Sequence, residues 1–312
     1  MIGVAAGLGA VGCLVGASVL TIFGMTAKAQ QPRPIPNSME PTVPFEYVEW
    51  TSGGGKVRGW MLPQPGAGKS PAVLVAHGWG SNRARVLRFA IPLHEAGFAV
   101  LMYDARSHGE SEKHPAPTGL MFRDDLLAAL EWLRNRADID TGRVGVLGHS
   151  LGGFGAVLAL AEGAPIAALV TDSMPVKFDT MIGAELSRRK LPRYPLAHVI
   201  PRIMAMRSGI SRSIMKKADP AKILADNLKG RNIPVLLVHS RGDGYIPSTE
   251  LDHVLLNNPQ LPHLYVDVSG HSSSEQDPAF WPAVLGFFQT HLGMNKENRL
   301  AASAASPSRE IY

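Results

Sequence analysis

Apolar positions along this chain fall into two rhythms, short continuous runs and longer amphipathic stretches, and their succession predicts the layout of the fold. The short runs lie at residues 72–76 (AVLVA), 99–103 (AVLMY), 144–147, 166–170, 235–239 (VLLVH) and 263–268. Runs of this length and composition are those of strands buried on both faces. Between them, residues 83–96, closed by Gly97, and 124–136, with Leu126, Leu127, Leu130 and Leu133 on one side, read as helices. Residues 154–161, 249–256 and 278–291 do the same. Near the N-terminus, residues 47–51 and 56–62 flank Ser52-Gly53-Gly54-Gly55, a hairpin signal. Strands that alternate with helices imply a mostly parallel sheet, here of about eight strands, with helices on both faces.

The alternation fails in three places. Residues 173–232 contain no strand pattern and read as a helical insertion after the sixth strand. They hold 13 Lys and Arg against 4 Asp and Glu, a net of +9, whereas the whole chain is only +5. Residues 30–44 are rich in proline and read as an extended linker, or as a strap along the surface. Residues 293–312, polar and rich in small side chains, read as a disordered tail. The domain proper then spans residues 45–292.

The N-terminus adds a separate expectation. Residues 2–24, about 23 positions, carry no charge, enough for a helix to cross a bilayer core at about 20 residues. Such a length favours a retained transmembrane anchor over residues 1–29, and so a membrane localisation. Ala27-Lys28-Ala29 leaves open a cleaved signal and a secreted or periplasmic protein. Lys28 and Arg33 follow the segment and no basic side chain precedes it, which for an anchor favours a cytoplasmic domain. Cys13 is the single cysteine, so an internal disulfide and a cysteine metal site are both excluded. No basic motif interleaved with aromatics is present, so nucleic acid is not an expected partner. Oligomeric state is not specified.

The candidate chemistry centres on residues 144–153, VGVLGHSLGG. A buried strand ends at Gly148 and a small-residue helix starts almost at once, so the chain turns sharply at Ser150. That turn pushes the hydroxyl out above the sheet, and the amide of Leu151, at the helix N-terminus, is placed to donate to an oxyanion.

Gly148-His149-Ser150-Leu151-Gly152 resembles the nucleophile elbow of the α/β-hydrolase superfamily, and the resemblance extends over roughly residues 43–291. His77-Gly78-Trp79-Gly80 is similar to the family's oxyanion loop, which implies the Trp79 amide as a second donor; His77 itself reads as a loop residue bonded to its neighbours. Residues 104–111 (DARSHGES) resemble a loop common in the family's esterases, lipases and peptidases, with Asp104 and Arg106 in structural roles. The insertion resembles a cap, and its Met174, Met181, Leu186, Met204 and Met206 are candidates to line an acyl pocket. Gly242-Asp243-Gly244-Tyr245-Ile246-Pro247 is similar to the loop that carries the family's catalytic acid, which implies Asp243, with Asp172 in reserve. Gly270-His271 follows the last strand, where the family places its base.

The order Ser150, Asp243, His271 is the one the fold requires. By this resemblance the chain is a serine hydrolase similar to bacterial lid-bearing esterases and serine-aminopeptidase-like enzymes. It would act on a small-molecule or lipid-like acyl substrate, with no metal or organic cofactor required. An esterase, a peptidase, amidase or thioesterase, and a non-catalytic binding protein on the same fold are the readings to be separated.

Overall fold

A computed structural model describes residues 2–33, 35–66 and 68–293, with the side chains of residues 2–15 and Phe178 left aside. The tail expected over residues 293–312 therefore lies, beyond Gly293, outside the described residues.

The core is one eight-stranded sheet in the order β1-β2-β4-β3-β5-β6-β7-β8. Its strands are β1 (Glu46–Ser52), β2 (Gly55–Leu62), β3 (Ser70–Ala76), β4 (Ala99–Asp104), β5 (Ile139–His149), β6 (Ala168–Asp172), β7 (Val235–Gly242) and β8 (His263–Ser269). β1 and β2 form an antiparallel hairpin, and β2 also runs antiparallel to β4. From β4 to β8 every pair is parallel. The hairpin turns at Gly53 and Gly54, both at positive φ (51° and 81°), the left-handed pair a tight two-residue turn needs.

Each central strand is apolar on both faces and distributes its side chains by the two-residue period. On β3, Ala72, Leu74 and Ala76 face one core while Val73 and Val75 face the other. The first core is closed by α3 (Gly119–Arg134), α4 (Leu151–Ala161), α8 (Pro220–Lys229) and α9 (Thr249–Asn257). The second is closed by α2 (Leu87–Glu95) and α10 (Phe280–Leu292) through Phe89, Leu93, Phe280 and Phe288. Gly145 of β5 is small for this reason, since a Cβ there would lie 2.8 Å from the Phe288 ring.

Two helices differ from the sequence expectation. The helix expected over residues 83–96 is a 3-10 turn, Arg83–Val86, followed by α2. Its start is tied down from outside, because the Arg83 amide donates to Asp104 (2.7 Å) and the Arg85 amide to the Asn82 side chain (3.1 Å). α3 begins at Gly119 rather than near 124, because the Thr118 hydroxyl accepts from the Met121 amide and caps it there.

Between β6 and β7 lie α5 (Phe178–Arg188), α6 (Leu196–Arg207), α7 (Arg212–Lys217) and α8. The insertion is not uniform. α8 buries Ile223 and Leu224 in the core of the body, whereas α6 and α7 bury no described residue. Residues 35–37 are bonded to the body, where the Asn82 side chain donates to the carbonyls of Ile35 and Pro36 (2.9 and 3.0 Å) and Asn37 donates to Asp104 (3.0 Å).

The expected transmembrane helix is corrected by the structure: among the described residues no helix is long and apolar enough to cross a membrane. The N-terminal helix, α1 (Ile2–Ala29), ends against protein instead. Thr26 and Gln30 are buried there, and the Gln30 amide donates to Ser208 (2.8 Å) and the Pro117 carbonyl (3.3 Å) while accepting from Arg207 (3.1 Å). Hydrocarbon offers no such partners to an amide side chain.

Candidate active site

Ser150 stands between the end of β5 and the start of α4 with φ 53° and ψ −122°, a backbone conformation a non-glycine residue adopts only when its surroundings impose it. They do so by close approach. A Cβ on Gly148 would sit 2.5 Å from the Gly153 Cα, and one on Gly152 would meet the Ala76 and His77 carbonyl oxygens at 2.4 and 2.6 Å. From above, the loop after β3 presses on the serine itself, since a Cβ on Gly78 would lie 2.8 Å from the Ser150 Cβ. The Ser150 amide is held as well, donating to the Asp172 carbonyl at 2.8 Å.

Two loops at the same edge of the sheet meet this serine. Asp243 follows β7 and His271 follows β8, and the loops are joined by the Gly270 amide donating to the Gly242 carbonyl (3.0 Å). Gly242 has no room for a side chain, because the Val268 carbonyl would be 2.3 Å from its Cβ. Asp243 Oδ1 accepts the amides of Tyr245 (2.8 Å) and Ile246 (2.9 Å), leaving Oδ2 for His271 Nδ1 at 2.7 Å. His271 Nε2 lies 2.8 Å from Ser150 Oγ. With Nδ1–H committed to a carboxylate, Nε2 carries the lone pair and the serine hydroxyl donates to it. Burial pushes the Asp243 carboxyl up, but the His271 hydrogen bond and charge and the two amides outweigh it and bring it below the usual range.

A second histidine repeats the arrangement. His149, the residue before Ser150, has its Nδ1 2.7 Å from Asp172 Oδ2 and its Nε2 3.0 Å from Ser272 Oγ. His149 and Asp172 end neighbouring strands in register. Burial lowers the His149 pKa, so its ring is neutral near pH 7. The Asp172 carboxyl is pushed up by complete burial and brought below its ordinary value by His149. The two imidazoles lie 5.0 Å apart, centre to centre.

Both serines and both histidines open on one cleft, lined also by Gly78, Trp79 and Arg88, with the two carboxylates buried beneath it. Beside it, Leu151, Phe154, Val176 and Met181 line a smaller, largely apolar cavity under α5. Chemically, a hydroxyl bonded to a neutral imidazole whose other nitrogen is held by a carboxylate can be deprotonated as it attacks an electrophile.

Comparison with known proteins agrees with this geometry. Residues 58–182 match the family of X-Pro dipeptidyl-peptidases (S15 family). The chain is 31% identical over 239 residues to the uncharacterized protein Rv2307c of Mycobacterium tuberculosis, covering 77% of this chain and 75% of that one. The Pyrococcus furiosus esterase Pf2001 superposes with a TM-score of 0.66 at 23% identity, over 84% of this chain and 98% of the esterase. This chain belongs to the α/β-hydrolase superfamily. It is a serine hydrolase. A puromycin-hydrolyzing peptidase of Mycobacterium tuberculosis shares the fold, with a TM-score of 0.61 at 17% identity over 81% of the hydrolase and 40% of that chain.

Of the residues singled out in the sequence of this hydrolase, Ser150, Asp243 and His271 come together, and Trp79 and Leu151 lie beside them, one in the loop over the serine and one opening α4. Asp172 does not reach His271 and holds His149 instead. His77 accepts the Ala105 amide (2.9 Å) and donates to the Gly78 carbonyl (2.7 Å), both within its loops. Asp104 is buried against Arg83 (2.6 Å) and Arg106 against Asp125 (2.6 Å). Of the methionines and leucine of the insertion, Met181 lines the apolar cavity, Met174 and Leu186 are buried, and Met206 is 65% exposed. The pairing of His149 with Ser272 was not anticipated, although the dipeptide His-Ser occurs both at the elbow and after β8.

Proposed function

We propose that this hydrolase cleaves carboxylic esters of small or lipid-like acyl groups through an acyl-enzyme on Ser150. The observation that carries the reading is the unbroken chain Ser150 Oγ, His271, Asp243, at 2.8 and 2.7 Å, opening on the cleft. Ser150 Oγ attacks the carbonyl carbon as its proton passes to His271 Nε2. Asp243 holds the ring in the required tautomer and stabilises the imidazolium. The Leu151 amide, among the first of α4 and so without an intrahelical acceptor, and the Trp79 amide receive the tetrahedral oxyanion. His271 then returns the proton to the leaving alcohol, and water repeats the sequence to free the acid. The apolar cavity next to Leu151, with Phe154, Val176 and Met181 on its walls, suits the acyl chain.

A peptidase or amidase reading has its own support in the match of residues 58–182 to X-Pro dipeptidyl-peptidases and in the puromycin-hydrolyzing peptidase of the same fold; a thioester would follow the ester route. Turnover of p-nitrophenyl esters of increasing chain length, set against aminoacyl and prolyl anilides, separates them. A preference for the anilides would overturn the ester assignment. Fluorophosphonate labelling of the wild type located on the Ser150 peptide tests the nucleophile, and undiminished ester turnover in Ser150→Ala would remove it from the mechanism.

A further inference from the structure

We propose that Ser272 is a second activated serine of this cleft, with His149 as its base and Asp172 as the group that orients the base. The two chains of bonds match link for link. Ser272 Oγ lies 3.0 Å from His149 Nε2 and His149 Nδ1 2.7 Å from Asp172, against 2.8 and 2.7 Å in the chain through His271. Because the buried carboxylate takes Nδ1–H, Nε2 has only a lone pair to offer, and Ser272 is the donor. The burial gradient also runs the right way. Asp172 is fully buried, His149 nearly so, and Ser272 is exposed to solvent at the cleft wall. A surface hydroxyl does not need a carboxylate beneath it. Burying that charge is unfavourable before it is paired, and an amide would hold a neutral ring as well.

The step is the same acyl chemistry. Ser272 Oγ bonds to the carbonyl carbon of a small activated ester, its proton moves to His149 Nε2, the C–O bond to the alcohol breaks, and the proton goes to the departing alkoxide. Water reverses the sequence and releases the acid. Arg85 and Arg88 line the same cleft and place positive charge near the developing oxyanion. This assignment stands on bonds that do not involve Ser150, so it does not depend on the role proposed for that residue.

The test uses the full chain and a small alkyl fluorophosphonate, with the modified residue located by peptide mass spectrometry. Ser150→Ala, folded by circular dichroism, is expected to label at Ser272. Adding His149→Gln is expected to slow that labelling by about 100-fold or more, the usual contribution of a general base. A folded Ser150→Ala that leaves Ser272 unmodified at probe concentrations that label Ser150 in the wild type would overturn the proposal. So would Ser272 labelling at an equal rate with and without His149. If the double variant fails to fold, His149→Gln alone, with its Ser272 labelling rate set against the wild type's on the same peptide, supplies the second arm. Labelling of Ser150 in the wild type reports separately on the main site, so failure of either assignment is read on its own peptide.

Discussion

This molecule buries two clusters of histidine and aspartate at the same edge of its sheet, and only one of them faces a hydroxyl. Beyond β3 and β4, His77 and His108 bond to main-chain groups of their own loops, and Asp104 and Arg83 bond to each other. His77 uses both nitrogens on main-chain groups, His108 bonds the Arg106 carbonyl at 3.0 Å, and Asp104 receives the amides of Arg83 and Glu110 besides the Arg83 guanidinium. Beyond β5 and β8, His149 and His271 instead each give one nitrogen to a carboxylate and turn the other toward a serine at the cleft. Asp172 and His149 are buried as deeply as Asp104 and His77, so burial by itself does not mark a reactive group. What does is whether the last atom of the chain of bonds is a side chain that substrate can reach.

The contrast is broken most directly at the cleft. Ser150→Ala and His271→Ala are each expected to lower kcat by about 10,000-fold or more while the protein stays folded; steady-state turnover with circular dichroism measures both. Asp243→Asn is expected to cost about 10,000-fold, because an amide can bond Nδ1 in the wrong tautomer. Near-normal activity in that variant would mean the acid lies elsewhere. Gly78→Ala asks less of the chemistry and more of its position. The added methyl would sit 2.8 Å from the Ser150 Cβ and 3.3 Å from Oγ, and a displaced nucleophile is expected to lose roughly 100-fold in kcat.

In the rear cluster the same kind of change should read out in stability. Asp104→Ala leaves Arg83, itself 1% exposed, with only the half-exposed Glu110 carboxylate to pair its charge, for a loss of up to about 3–5 kcal/mol, the cost of breaking a buried pair. Denaturant unfolding measures it, and the turnover per folded molecule should be unchanged. A loss of turnover at full stability would place Asp104 in the chemistry and erase the distinction between the clusters.

How much of this was legible beforehand follows from the range of the interactions involved. The strands of the sheet are short apolar runs, a local signal, and all eight were read from residues close in sequence. Ser150, Asp243 and His271 were readable because each sits in a glycine-bearing turn whose sequence survives out of context. The bond between His149 and Asp172 depends on the register of β5 against β6, and its extension to Ser272 on a loop more than a hundred residues away. No local pattern encodes it. The end of α1 is hidden for the same reason, since the apolar run suggests a membrane while the bonds that seat Gln30 come from Arg207 and Ser208, far along the chain. α3 starts before the amphipathic stretch at residue 124 because Thr118 caps it, a local signal that lies outside the apolar periodicity.

The smallest expected effect sharpens the comparison through pH. Burial lowers the pKa of His77 from 6.5 to about 4 and that of His108 from 6.5 to about 3. Each therefore stays neutral in the folded protein at pH values where the unfolded chain has already protonated it. Below about pH 6.5 the unfolded state binds more protons, so stability is complete above that value and falls as pH drops, by about 1.4 kcal/mol per pH unit for each such histidine. His149, lowered by burial, adds to the same slope. The lowered carboxyls of Asp172 and Asp243 add theirs only nearer pH 4, while the carboxyls of Asp125 and Glu275, raised by burial, act in the opposite sense, so the contribution of one histidine is read as a difference from the wild type between pH 6 and 5. His108→Gln removes one titrating ring and is expected to make that slope shallower by about 1.4 kcal/mol per pH unit, measured by urea unfolding at each pH, with activity at pH 7 retained. An unchanged slope would mean that His108 is already protonated in the fold, and the rear cluster would then hold a charge that its main-chain partners were argued not to need.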